Sequence, residues 1–158
     1  MKSLIIYFSF HHKNTEKIAK ILAQVLNSEI KKTFEVKPEE INQYDLIGFG
    51  SGIYFWRHHP SLFKLIERLP EIKEKDAFIF STSGIKIPLI DFHKPLRKKL
   101  IQKGFKILSE FSCLGFDSFG PLKFFGGINK GRPNEKDLEK AKKFAIELKK
   151  KLNENHPS

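Results

Sequence analysis

The sequence has little cysteine and no long apolar run. Its single cysteine, Cys113, has no second cysteine with which to form an intramolecular disulfide. No stretch approaches the roughly 18 apolar residues of a membrane-spanning helix. Only a short apolar run follows Lys2, so no signal peptide is expected. These absences favour a cytoplasmic protein, and 158 residues, 40% of them hydrophobic, are enough for one domain with a substantial core.

Acidic residues are scarce relative to basic ones, and the imbalance lies mainly in the second half of the chain. The formal net charge is +11. Residues 1–80 contain 12 Lys and Arg against 10 Asp and Glu, whereas residues 81–158 contain 17 against 8. Such a field attracts nucleic acid, anionic cofactors or acidic proteins, but a lysine-rich solvated surface has the same composition. The charge alone leaves these alternatives open.

Apolar segments with strand and helix periodicity alternate along the chain. Helical periodicity follows Thr15, Pro60 and Asn134 and also covers residues 90–103. Strand-like segments lie at residues 2–8, 29–36, 44–51, 76–81 and 105–113. This alternation predicts an α/β fold in three layers, with a five-stranded parallel sheet between helices. We expect one domain over residues 1–152 and a frayed tail over residues 153–158.

The loops after the strands are the candidate functional segments, because ligands of such folds bind beyond the carboxyl ends of the strands. The first of these loops offers the hydroxyls of Ser9 and Thr15 and the amide of Asn14 at a helix start. Free N–H groups and the positive end of the dipole make helix starts good phosphate sites. The first hypothesis is therefore a ligand that carries a phosphate.

Two common nucleotide motifs are missing from this loop. It contains neither G-x-x-x-x-G-K-[ST] nor G-x-G-x-x-G, so an ATP P-loop and the dinucleotide fingerprint are excluded. His11 and His12 are adjacent, but no cysteine or carboxylate accompanies them, and we expect no metal site.

Aromatic, glycine and hydroxyl residues dominate the later loops. Tyr54, Phe55 and Trp56 are consecutive, so at least one should lie at the surface, where it can stack on a flat ring or pack on a helix. Residues 81–84 are small and let the backbone approach a ligand closely. Residues 114–133 form an unusually long glycine-rich connection, which is often a sign of function.

Three segments, in the expected order, resemble the flavodoxin-like family. The loop with Ser9, Asn14 and Thr15 resembles the phosphate loop of flavodoxins, usually S/T-x-T-G-N-T, although His11-His12-Lys13 replaces the usual Thr-Gly and the loop is one residue longer. Asp45-Leu-Ile-Gly-Phe-Gly-Ser-Gly-Ile-Tyr54 resembles the segment that binds the flavin ring. Gly131-Arg-Pro-Asn-Glu-Lys-Asp137 resembles the closing segment of a prokaryotic subgroup of small single-domain members.

The resemblance implies a flavodoxin-like strand order of 2-1-3-4-5 and FMN as the cofactor. It implies that Ser9, His11, Asn14 and Thr15 hold the phosphate, to which Lys13 can add charge. It further implies that two segments flank the isoalloxazine ring, namely Ser51, Gly52, Ile53, Tyr54 and Phe55, and Ser81, Thr82, Ser83 and Gly84.

The function expected on this basis is electron transfer through the bound flavin, with no catalytic side chain, to an acidic redox protein. One alternative is an FMN-dependent oxidoreductase that reduces a quinone or another small acceptor at a site lined by Tyr54, Trp56 or His58. Another is a flavin-free module that binds nucleic acid or other anions.

Overall fold

A parallel sheet forms the centre of the computed structural model, which describes residues 1–10, 12–118 and 120–157. Five strands make this sheet, and a sixth, two-residue strand pairs with one of them. In chain order the strands are β1 (Ser3–Phe8), β2 (Glu29–Lys32), β3 (Leu46–Tyr54), β4 (Arg57–His58), β5 (Lys75–Ser83) and β6 (Phe105–Leu114). The spatial order is β2-β1-β3-β5-β6, so the predicted order is confirmed once the short β4 is set aside.

Helices cover both faces of the sheet. They are α1 (Asn14–Leu26), α2 (Pro60–Arg68), α3 (Lys94–Lys103) and α4 (Glu135–Asn155), with 3₁₀ turns at Thr33–Glu35, Pro38–Gln43 and Gly120–Phe125. Alternate strand residues face opposite layers. Ile47 and Phe49 pack with Leu62 of α2 and Leu96 of α3, whereas Ile5, Phe78 and Phe80 pack with buried residues of α1 and α4, including Ile18, Leu22, Ala141 and Ala145. The predicted three-layer α/β sandwich is confirmed.

Several element boundaries differ from the predicted ones. β2 ends at Lys32 because the chain turns into a 3₁₀ helix at Thr33. β3 runs on to Tyr54 because Ile53 and Tyr54 pair with the short antiparallel β4. α4 begins at the predicted cap, where Asn134 and Asp137 form a capping box, and it continues to Asn155. His156 then lies 2.8 Å from Oδ2 of Asp76, at the amino end of β5.

Two glycines of β3 leave room for large phenylalanine rings of the neighbouring strand β5. A Cβ on Gly48 would come within 2.3 Å of the ring of Phe78, and one on Gly50 within 2.3 Å of the ring of Phe80. The sheet therefore accommodates buried phenylalanines on β5 only because β3 carries no side chain opposite them.

No helix in the described part of the chain is long and apolar enough to cross a membrane.

Candidate functional site

A cleft of about 250 Å³ opens at the carboxyl edge of the sheet, where the connections after β1, β3, β5 and β6 meet. This is the edge at which ligands of parallel α/β sheets bind. The structure brings most of the predicted site residues together here. The cleft is lined by Asn14, Thr15, Gly52, Ile53, Tyr54, Phe55, Thr82, Ser83 and Gly84.

Four predicted site residues lie outside the lining of the cleft. The hydroxyl of Ser9 accepts a hydrogen bond from the backbone N–H of Glu16 (3.3 Å) and so supports the first turn of α1. Lys13 is exposed at the helix start. Ser51 and Ser81 are buried on the other face of their strands, bonded to His59 N (2.9 Å) and His93 Nε2 (2.6 Å) respectively. His11, also predicted, lies outside the described residues.

Sequence reasoning missed four residues that line the cleft, namely Phe10, His12, Phe116 and Asp117. Phe116 and Asp117 reach it because their backbone N–H groups bond the carbonyls of Arg132 (2.9 Å) and Ile128 (3.0 Å). These bonds fold the connection after β6 back over the first loop. Its length and its glycine and aromatic content were the signals in the sequence, and they did not indicate which residues would face the cleft.

The start of α1 forms the polar end of the cleft. The side-chain N–H of Asn14 donates to the carbonyl of Phe116 (2.7 Å). Its Oδ1 is buried and has no hydrogen-bond partner among the described residues. Thr15 is joined to Thr82 by a buried hydroxyl bond of 2.8 Å. A buried acceptor without a partner suits a ligand that brings its own hydroxyl or N–H donor.

The loop before α1 takes a conformation that glycine adopts most easily. His12 has φ 38° and Lys13 has φ 51°, both in the left-handed region. His12 is fixed in the fold by a 2.6 Å hydrogen bond from Nε2 to the hydroxyl of Ser118, and its ring lies 3.9 Å from that of Phe116. The loop therefore keeps a tight backbone turn without glycine, and tethers the connection after β6 through His12.

Tyr54 forms an aromatic wall of the cleft. Its ring meets His59 edge-on at 5.2 Å, and a Cβ on Gly52 would lie 3.1 Å from it. Burial raises the pKa of the Tyr54 hydroxyl, as does the charge of Asp117, while a hydrogen bond with the backbone of Phe10 opposes the shift. Tyr54 is consequently a neutral, fixed ring beside the exposed Phe10 and Phe55.

Two residues proposed for a small-acceptor site are placed elsewhere. His58 is fully buried, and its Nε2 donates to the carbonyl of Phe80 (3.1 Å), so the prediction that it could line the cleft is wrong. Trp56 packs 5.8 Å from Phe92 and lies outside the cleft lining. Cys113 is buried in β6, and burial raises its thiol pKa to about 12, so it stays protonated.

Among the described residues, no group of three or more His, Cys, Asp or Glu side chains is arranged to hold a metal ion. The polar groups of the cleft are hydroxyls, amides, one imidazole and the carboxylate of Asp117. These groups suit hydrogen bonding to an organic ligand.

Comparisons with known proteins agree with this architecture. An uncharacterised protein of Methanocaldococcus jannaschii is 55% identical over 145 residues, which cover 92% of this chain and 96% of that protein. The structure of oxidised flavodoxin 2 from Bacillus cereus superposes with a TM-score of 0.73 at 20% identity, covering 96% of this chain and 99% of that one. General stress protein 14 of Treponema denticola, solved in complex with FMN, gives a TM-score of 0.64 at 10% identity and covers 94% and 99%.

The solved structures share the fold with this chain at low sequence identity. The family comparison instead matches the amino-acid sequence to a family model. The family model described as a flavodoxin domain matches residues 4–106, well over half of the chain. The matched segment includes β1, the start of α1, β3 and β5, which supply most of the cleft lining. The chain therefore belongs to the flavodoxin domain family.

Proposed function

We propose that the cleft binds FMN and that the chain carries electrons through the flavin to a protein partner. The observation that carries the proposal is the position of Asn14. It lies at the start of α1, lines the cleft and has a buried Oδ1 without a hydrogen-bond partner among the described residues. FMN offers a phosphate for a helix start and ribityl hydroxyls for a buried acceptor.

At the polar end of the cleft, hydrogen-bond donors and acceptors of the chain suit different parts of FMN. A phosphate accepts hydrogen bonds, so it suits the first backbone N–H groups of α1 and the hydroxyl of Thr15. Oδ1 of Asn14 is itself an acceptor and suits a hydroxyl of the ribityl chain. The Nδ2 group of Asn14 is already bonded to Phe116, which holds the amide in this orientation.

At the apolar end, residues 52–55 and 82–84 give the ring of the flavin two walls. Tyr54 presents a fixed aromatic ring, and flat ligands stack on such surfaces. Gly52 and Gly84 also line this end of the cleft, and their carbonyls already accept hydrogen bonds from the Ser51 hydroxyl and the Asn129 amide. When bound, the flavin supplies the redox chemistry, and the protein supplies binding, orientation and electrostatics.

We also propose that the redox partner is acidic. The support is the charge distribution, with 17 Lys and Arg against 8 Asp and Glu over residues 81–158. Complementary charge accelerates association and makes it sensitive to salt. Association with an acidic partner should therefore weaken as ionic strength rises, whereas a basic partner would show the opposite trend.

Titration of the flavin-free chain with FMN tests the cofactor assignment. We expect saturable binding and a yellow complex with flavin bands near roughly 370 and 450 nm. Asn14→Ala should weaken FMN binding about 10-fold, since one hydrogen bond of about 1.4 kcal/mol is lost. The matched control is Asn27→Gly at the other end of α1, where glycine suits the observed φ of 53°, and FMN affinity should not change.

The titration also separates the remaining alternatives. A chain that takes up no FMN and binds DNA or RNA with steep salt dependence would replace this proposal with the anion-binding one. A chain that binds FMN and oxidises NAD(P)H with a quinone would be an oxidoreductase. Equal FMN affinity of the Asn14→Ala and native proteins would show that Asn14 does not contact the cofactor.

A further inference from the structure

A second cavity, of about 330 Å³, lies on the α3 side of the end of β5. It shares Ser83 with the cleft proposed for FMN. Its polar lining includes Ser81, His93 and Glu110, and its apolar lining includes Ile87, Ile90 and Phe92. Ser81 is only 2% exposed and His93 only 7%, so the polar groups lie at the bottom of the cavity.

Ser81, His93 and Glu110 form a hydrogen-bonded row. The hydroxyl of Ser81 lies 2.6 Å from Nε2 of His93. The other ring nitrogen of His93, Nδ1, lies 3.2 Å from Oε2 of Glu110. A hydroxyl, an imidazole and a carboxylate at these separations have the geometry of an activated nucleophile, its base and the group that orients the base.

The protonation state of the row follows from Glu110. Burial alone would raise its pKa, but hydrogen bonds from Arg97 and His93 prevail and lower the pKa to about 2. An ionised carboxylate only accepts hydrogen bonds, so Nδ1 of His93 must donate. In the neutral ring Nε2 is then the acceptor, and the hydroxyl of Ser81 donates to it. This is the tautomer in which histidine can remove the serine proton.

Arg97 and Asp91 hold the row in place. Arg97 donates to both oxygens of Glu110, at 2.5 and 2.7 Å, and to Oδ2 of Asp91 at 2.7 Å. Oδ1 of Asp91 accepts from the backbone N–H of His93 (3.0 Å). The histidine is therefore fixed from its ring and from its backbone, as preorganised catalytic groups require.

We propose that this cavity is an acyl-transfer site in which Ser81 is the nucleophile, His93 its general base and Glu110 the residue that positions His93. Oγ of Ser81 forms a bond with the carbonyl carbon of an ester, while its proton passes to Nε2 of His93. The bond to the leaving oxygen then breaks, and that oxygen takes the proton. Water, activated by His93, releases the acid and restores the Ser81 hydroxyl.

The lining of the cavity indicates the class of substrate. Ile87, Ile90 and Phe92 suit a short apolar acyl group or an aryl leaving group. Lys86, which also lines the cavity, brings a positive charge to oppose the negative oxygen that develops during the reaction. A cavity of about 330 Å³ fits a small ester rather than a long lipid chain.

Acetylation by p-nitrophenyl acetate tests the site directly. The full chain is incubated with the ester, and its peptides are analysed by mass spectrometry. We expect an acetyl group on Ser81, together with release of p-nitrophenolate. A fluorophosphonate probe, which marks activated serines, should modify the same residue. A native chain that carries neither adduct on Ser81 overturns the proposal, whatever the behaviour of the variants.

Substitutions of His93 and Glu110 test whether the hydrogen-bonded row is catalytic or only structural. His93→Gln should slow acetylation of Ser81 by about 100-fold or more, the usual contribution of a general base. Glu110→Gln should also slow it, because an amide can stabilise the wrong tautomer, and Glu110→Asp should restore part of the rate. Equal rates in the native and His93→Gln proteins would overturn the proposal.

Ser61 provides the matched control. Its hydroxyl lies 2.9 Å from Nδ1 of His59, but no carboxylate bonds His59 among the described residues, so the pair lacks the third member. Ser61→Ala should leave the acetylation of Ser81 and the release of p-nitrophenolate unchanged. Loss of both in Ser61→Ala would place the reaction at that pair and contradict the proposal. The readout does not involve the flavin, so the result is independent of FMN binding.

Discussion

The hydroxyls of Thr15 and Thr82 meet at 2.8 Å and join the start of α1 to the end of β5. Both residues are almost completely buried, with exposures of 2% and 3%. The bond fixes the position of the helix start relative to the strand that forms the opposite wall of the cleft. Binding at either wall therefore depends on the same contact.

The two threonines should be interdependent in stability. Thr15→Val or Thr82→Val alone leaves one buried hydroxyl without its partner and should cost about 1–3 kcal/mol. The double variant removes both hydroxyls with little change of volume and should cost less than the sum of the single changes. Urea unfolding of the flavin-free proteins measures all four free energies. Additive losses would show that the hydroxyls do not interact.

Replacing Lys13 should distinguish backbone conformation from side-chain charge. Its φ of 51° favours glycine, so Lys13→Gly should be more stable than Lys13→Ala by about 1 kcal/mol. Both variants lack the charge of Lys13, so an equal loss of FMN affinity in both would show that the lysine side chain binds the phosphate. Thermal unfolding and FMN titration measure the two effects. We expect native-like FMN affinity in Lys13→Gly, because backbone N–H groups at the helix start supply the contacts.

The pH dependence of FMN affinity tests the histidines of the same loop. If an imidazolium contacts the phosphate, affinity should fall as pH rises through roughly 6.5, where histidine loses its charge. We expect instead a flat affinity between about pH 5.5 and 8, because the backbone N–H groups at the helix start do not titrate. A decline above about pH 6.5 would return the role to the histidines.

Buried His58 should make the protein less stable in acid. Burial is the main cause that lowers its pKa to about 3, from 6.5. Below pH 6.5 the unfolded chain binds a proton at His58 that the folded chain does not bind. The contribution of His58 to the free energy of unfolding is therefore fully present above pH 6.5 and is lost as the pH falls toward 3. The contribution is about 1.4 kcal/mol per pH unit. His58→Gln retains an N–H donor for the carbonyl of Phe80 but does not titrate, so its unfolding free energy should fall less steeply between about pH 6 and 4.

The basic surface should raise the potential at which the flavin becomes fully reduced. Reduction adds negative charge, and a positive charge about 15 Å away stabilises it by roughly 0.3 kcal/mol in water. Lys86 lies two residues after Gly84 of the cleft lining, whereas Lys149 lies near the end of α4. Lys86→Gln should therefore lower the potential more than Lys149→Gln, and added salt should reduce the difference. Spectroelectrochemical titration that found no effect of salt would contradict this account.

The sequence predicted the sheet well because local patterns determine it. Apolar runs gave the five main strands and the Asn134–Asp137 cap gave the last helix, whereas the strand order came from the resemblance to flavodoxins. β4 was missed because its turn uses Phe55 and Trp56, with φ of 48° and 71°. Such left-handed turns usually contain glycine or asparagine, so two aromatic residues gave no turn signal. Pairing with β3, a tertiary effect, stabilises this turn.

The sequence predicted the cleft residues that belong to a loop directly after a strand. It did not predict those that reach the cleft through contacts between distant segments. Nine of the cleft residues were named from the loops after the first, third and fourth predicted strands. Phe116 and Asp117 depend on hydrogen bonds to Arg132 and Ile128, which no local pattern encodes. The resemblance to flavodoxins assigned Ser81 to the flavin together with Thr82, Ser83 and Gly84. In the structure its hydroxyl instead bonds Nε2 of His93 at 2.6 Å, a contact that depends on the connection before α3 and that no local pattern encodes.

The contact of His156 with Asp76 sets the end of α4 at the amino edge of the sheet. β5 begins beside this contact and ends at the cleft, and its nine residues span about 30 Å. A surface tether or fluorescent dye attached near Asn153 would consequently leave the cleft facing outward. An electrode coated with the protein in this orientation would present the cleft to dissolved molecules, and a flavin bound there would lie nearly the full height of the sheet away from the electrode surface.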